Sequence, residues 1–159
     1  MNPKALIDLH CDTLTDCRPT PAGNPDTLDD PERVLSLSAM PEDVHWAQFY
    51  AVFIPDEYRG QAAIEYFEQN RENFFRQMKK FSQRAAPCRT YADMERAWAG
   101  NQTAAFLTIE NGSALAGDLS RVQVLADQGV RAVTLVWNGE NEIGSGHTTD
   151  HGLSAFGKR

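Results

Sequence analysis

The chain has no long hydrophobic run, no cluster of basic residues, no paired-cysteine motif and no glycine fingerprint for a dinucleotide. Each absence removes a class of function. No apolar stretch approaches the roughly 18 residues of a bilayer-crossing helix. Met1-Asn2-Pro3-Lys4 leads into Ala5-Leu6-Ile7-Asp8 without the apolar core of a secretory signal. Fifteen Lys and Arg against 22 Asp and Glu leave a net charge of -7. A surface of that balance repels phosphate backbones, so neither nucleic acid nor anionic membrane is expected as a partner. Cys11, Cys17 and Cys88 are odd in number and contain no Cys-x-x-Cys. Neither a disulfide framework nor a zinc ribbon fits them, and a cytoplasmic setting is expected.

What is present suits one folded unit. The 159 residues are 42% hydrophobic, enough for a core, with no internal repeat and no linker that would split residues 1–159. Four β-rich runs alternate with helical patterns. Ala5 to His10 reads as the first strand, followed by a long Pro-, Asp- and Gly-containing loop from about Thr15 to Glu32. Val44 to Ile54 is nearly all apolar, as in a parallel strand covered on both faces. Ala104 to Ile109 and Val130 to Val136 are the third and fourth strands.

Between them, Gln61 to Arg84 repeats apolar residues at helical spacing, with Lys79, Lys80 and Arg84 near its end. Thr90 and Asp93 have the spacing of a capping box, opening a helix that Gly100 ends. Leu119, Val122 and Leu125 mark a further helix, closed by Gly129. Such alternation implies parallel βαβ units, in an open doubly wound sheet or in part of a (β/α)8 barrel. The missing glycine fingerprint after the first strand weighs against a dinucleotide fold. Beyond the fourth strand comes a glycine-rich loop, Gly139 to Gly152, and then Ser154, which is placed to cap a helix.

Three places carry chemistry. His10 and Asp12 close the first strand, where residues i and i+2 point the same way and can share one metal ion. The spacing equally suits a polar pair bonded to nearby backbone. Cys11, between them, points the other way and reads as a small buried side chain. Glu110 sits at the C-terminal tip of the third strand, where parallel α/β folds place their sites. An ordinary loop acid would look the same. Trp137 and Asn138 follow the fourth strand, in position to wall and orient a substrate, or simply to form an Asn-Gly turn. His147 and His151 lie among glycines and read as solvent-exposed loop residues.

Four segments occur in order: Ile7-Asp8-Leu9-His10-Cys11-Asp12-Thr13, Phe106-Leu107-Thr108-Ile109-Glu110-Asn111-Gly112, Val133-Thr134-Leu135-Val136-Trp137-Asn138 and Gly152-Leu153-Ser154-Ala155-Phe156-Gly157. Together they resemble the membrane (renal) dipeptidase family of zinc peptidases, in its soluble bacterial branch, over essentially the whole chain. The resemblance implies a (β/α)8 barrel of which this chain is the N-terminal half, with about four parallel strands and their covering helices. It also implies two zinc ions, His10 and Asp12 on one and Glu110 bridging both, and hydrolysis of dipeptides by a metal-bridging hydroxide. Family members carry a substrate-contacting His where this chain has Trp137. Their remaining zinc-binding histidines come from later strands, so activity is expected only together with a complementary C-terminal half-barrel polypeptide, and a folded form only with that polypeptide or in a homo-oligomer. Two alternatives are another amidohydrolase-like metal hydrolase, although His-x-His is absent, and an inactive fragment serving as an interaction module.

Overall fold

The computed structural model describes residues 4–17, 27–33 and 35–159. Nine named elements follow one another: strand β1 (Lys4–Cys11), helix α1 (Thr13–Asp16), β2 (Val44–Phe53), α2 (Gly60–Lys80), β3 (Ala85–Pro87), α3 (Tyr91–Ala99), β4 (Thr103–Glu110), α4 (Ser120–Asp127) and β5 (Val130–Thr134). Short 3-10 turns lie at Leu37–Ala39 and Gly112–Leu115. The strands form one sheet in the order β1-β2-β4-β3, with β5 also pairing β4. β1 runs parallel to β2, and β3 parallel to β4. The expected parallel α/β architecture is therefore present.

The structure differs from the expected four strands in one respect. β3 is a fifth strand, three residues long, pairing Ala85 with Thr103 and Pro87 with Ala105. The loop expected from Thr15 also starts later, because Thr13–Asp16 makes one helical turn. Residues 18–26 of that loop, like Met1 to Pro3, lie outside the described residues. The long helix ends at Lys80 rather than Arg84, leaving Arg84 to pair with Asp29.

The chain divides into two compact units, Met1–Ala51 with Asn70–Leu107 and Val52–Gln69 with Thr108–Arg159. In the first, Ala47, Gln48, Tyr50 and Ala51 of β2 are buried, with Tyr50 packing on Phe74 of α2 and the half-buried Phe49 stacking on Phe106 of β4 at 4.7 Å. Phe74 and Met78 of α2, one turn apart, are at most 3% exposed, and burying each such side chain contributes about 1.5–3 kcal/mol. Ala47, Met94, Ala97, Ala104 and Phe106 form a second cluster under α3. α3 opens with the expected capping box: the Asp93 amide donates to Thr90 Oγ1, and the Thr90 amide donates to Asp93 Oδ2.

In the second unit, α4 ends at Asp127, and Gly129, two residues on, has a φ of 110° that suits the position just past a helix. Only Leu125 of the expected apolar face is buried there; Leu119 and Val122 are 45% and 53% exposed. Ser154 accepts a bond from the Gly157 amide and so caps a single C-terminal turn.

Candidate metal centre

Period-2 alternation along β1 breaks just before its end. Asp8 registers with Gln48, but Cys11 registers with Tyr50, so three steps on β1 match two on β2. The extra residue is a bulge, a device that re-aims side chains at strand ends. Asp8 Oδ1 accepts from the His10 amide at 3.1 Å and closes it. Asp12 is no longer in the strand; it caps α1, and its carbonyl accepts from the Thr15 amide and hydroxyl. His10 Nε2 and Asp12 Oδ1 nevertheless lie 3.4 Å apart, both substantially exposed. Burial pushes the Cys11 thiol between them up to about 12, so it is a protonated side chain at neutral pH.

Glu110 ends β4, with its carbonyl accepting from the Ile54 amide at 3.0 Å. Phe106 has the same parity on β4 as Glu110, and Phe49 the same parity on β2 as Phe53. The face that carries the Phe49–Phe106 stack thus carries Phe53 and Glu110 four residues further on. Among the described residues, His10 and Asp12 of the first unit offer a ring nitrogen and a carboxylate, and Glu110 of the second offers a carboxylate, the donor types of a metal site. One imidazole nitrogen and two carboxylates suit zinc, which takes nitrogen and oxygen donors at about 2.0–2.2 Å once they close around it.

Trp137 lies just beyond β5, packed edge-on against Phe53 at 4.7 Å and still 37% exposed. Asn138 is half-buried, and its carbonyl accepts from both the amide and the hydroxyl of Thr148 at 2.8 Å. His147 and His151 are exposed, as expected of that loop; the His151 ring bonds to Glu140.

Sequence reasoning missed Phe53 and a buried polar network behind Glu110. Asp56 Oδ2 accepts from the Gly139 amide at 2.8 Å, and a Cβ on Gly139 would lie 2.9 Å from that carboxylate. Arg59 donates to Tyr58 O, Ser113 Oγ and Glu140 O and lies 3.8 Å from Asp56. Asn111 and Asn141, both buried, bond to each other through their amides.

The model of the membrane dipeptidase family, peptidase family M19, matches residues 1–159. The chain belongs to this family. No curated protein matches it significantly. Among solved structures, an M19 dipeptidase AC shares 21% identity and superposes with a TM-score of 0.82 over 99% of this chain and 52% of its own. A metallopeptidase from Rhodobacter sphaeroides, bound to a phosphinate mimic of the dipeptide L-Ala-D-Ala, gives 20% and 0.82 over 99% and 55%. An amidohydrolase from Pseudomonas aeruginosa is 25% identical, with a TM-score of 0.62 over 74% of this chain and 34% of that one. This M19 chain therefore spans about half, or less, of the structures it resembles, in keeping with the expected half-barrel. No described helix is long and apolar enough to cross a membrane.

Proposed function

We propose that residues 1–159 act as one unit, the N-terminal half of a zinc-dependent dipeptidase, completed by a complementary C-terminal half-barrel polypeptide. The observation that carries this is the close His10–Asp12 pair at one strand end, with the Glu110 carboxylate at another strand tip, in a chain that the dipeptidase family matches from end to end. His10 offers a ring nitrogen, with Asp12 beside it to hold one ion. Glu110, at a strand tip, supplies a carboxylate with two oxygens that two cations can share. Bound zinc supplies an acidified water and a Lewis acid for the scissile carbonyl. Three ligands for two ions fall short of the four that each zinc normally takes, so the complementary half provides the rest.

Substrate is dipeptide, a reading supported by the dipeptide mimic in the Rhodobacter sphaeroides relative. Trp137 and Phe53 give it an aromatic wall, and Asn138 anchors the turn behind that wall. No nucleic acid or membrane partner is proposed, and three free cysteines fit a cytoplasmic setting.

The test is hydrolysis of a dipeptide panel by the completed assembly, with zinc measured alongside. Turnover that a chelator abolishes and zinc restores supports the reading; tightly bound zinc with no dipeptide turnover overturns it. The second reading, hydrolysis of a cyclic amide or ester, is favoured by the amidohydrolase relative and wins if only those substrates turn over. A chain with neither metal nor turnover is an interaction module.

A further inference from the structure

Asn111 follows Glu110 directly and holds an unusual backbone for a side-chain-bearing residue, with φ 74° and ψ 103° at full burial. Conformations of this kind persist only where the surroundings enforce them. Here the enforcement is visible. Asn111 Nδ2 donates to Ile54 O at 2.8 Å and to Asp56 Oδ1 at 3.2 Å. Its Oδ1 accepts from Ser113 Oγ at 2.8 Å and Asn141 Nδ2 at 2.9 Å. Those four bonds use the full capacity of a carboxamide.

Asn141 is saturated in the same way, donating also to Leu135 O and accepting from the Ile143 and Gly144 amides. The two amides join the turn after β2, the turn after β4 and the loop after β5. On its other side Glu110 is tied as well, its carbonyl receiving the Ile54 amide. The backbone is thus clamped to the end of β2 both at Glu110 and at the next residue. A turn that only needed to reverse the chain would not require a strained, fully bonded asparagine in its interior.

We propose that Asn111 is a positioning residue: it sets the backbone from which the Glu110 carboxylate is aimed, and so sets zinc affinity without touching the metal. This rests on the metal reading above. Ligating groups must be held within about 0.5 Å of the productive geometry, and loss of an outer partner typically weakens metal binding by about 10–100-fold.

Asn111→Asp is the informative change. It keeps the shape and the acceptor oxygen, and replaces only the nitrogen that donates to Ile54 and Asp56. Zinc affinity is read on the full chain by competition with a chromophoric chelator, for wild type, N111D, E110Q and the double variant. We expect N111D to bind zinc about 10–100-fold more weakly than wild type. We expect the double variant to bind no more weakly than E110Q alone, because Asn111 acts through Glu110. A merely structural asparagine would give additive losses, and that outcome overturns the proposal, as does wild-type affinity in N111D. Should N111D not fold, Ser113→Ala removes one bond to the same amide. Its loss is expected to be about two- to tenfold and to vanish in the E110Q background; an unchanged affinity, or a loss that persists in that background, overturns the proposal. A wild-type chain without zinc affinity defeats the metal reading and this proposal with it. A wild type weakened by E110Q but not by N111D defeats the proposal alone.

Discussion

His10 Nε2 and Asp12 Oδ1 lie 3.4 Å apart although Asp12 has left the strand that carries His10. Alternation along a regular strand would put both on one face. The actual cause is different: a bulge re-aims His10, and the first turn of α1 brings Asp12 back beside it. Asp12→Ala removes a direct ligand in the proposed site. It is expected to weaken zinc binding by more than the roughly 10–100-fold that an outer partner costs. Chelator competition measures this, and wild-type affinity in the variant would remove Asp12 from the site.

Trp137 packs edge-on against Phe53, with more than a third of its surface open. As part of a substrate wall, it governs which side chains are accepted without holding metal. Trp137→His in the completed assembly is expected to leave zinc content unchanged and to reorder kcat/KM across a dipeptide panel. Identical profiles for variant and parent would make Trp137 a packing residue.

The legible parts were those with local signals. β2 and β4 are long apolar runs, and Thr90 with Asp93 announces its capping box over four residues. β3 was hidden because Ala85-Ala86-Pro87 has no β-branched or aromatic residue and is too short for a pattern. Glu110 was legible as a carboxylate at a strand tip. Its support was not, because the bonds of Asn111 reach to Ile54, Asp56 and Asn141, 57, 55 and 30 positions away. Asn-Gly reads locally as a turn, and nothing local distinguishes an ordinary turn from a buried hub.

The α3 cap carries a pH dependence. The Arg89 amide, followed by the hydroxyl and amide of Thr90, bonds the Asp93 carboxylate and holds its pKa below the usual range. A depressed folded pKa gives stability that is present above the unfolded value, near 3.9, and lost as pH falls through the folded one. Denaturation midpoints of wild type and Asp93→Asn should therefore differ most at pH 7 and converge well below pH 4. A gap that stays constant with pH would mean the charged cap contributes nothing.

Gly146 has no room for a side chain. An added Cβ would collide with the backbone carbonyl oxygens of Trp137, Asn138 and Gly139, none of which can rotate away. At Gly60, with φ of 52°, a Cβ meets open space and only the backbone objects. Gly146→Ala is therefore expected to cost about 3 kcal/mol or more, against roughly 1–2 kcal/mol for Gly60→Ala. Urea denaturation of both variants checks the order, and equal losses would contradict the packing argument.

β1 is the end strand of the sheet, paired on one side with β2 and with no other described strand. Leu6, Ile7 and Leu9 on it are 40%, 52% and 68% exposed. In the other compact unit, Leu119, Val122 and Leu135 are 45%, 53% and 56% exposed. Single exposed apolar residues are ordinary, but adjoining ones on an open strand edge form a template for pairing. A covering polypeptide would bury them; without it, another copy of the chain is the available apolar surface. Residues 1–159 purified alone are therefore expected to self-associate with rising concentration, as read by size-exclusion chromatography with light scattering. Leu9→Lys places a charge on the open edge and should shift the population toward monomer, because burying an unpaired ammonium opposes pairing. Wild type that stays monomeric at high concentration would show that β1 is not a sticky edge, and the case for a covering partner there would fall.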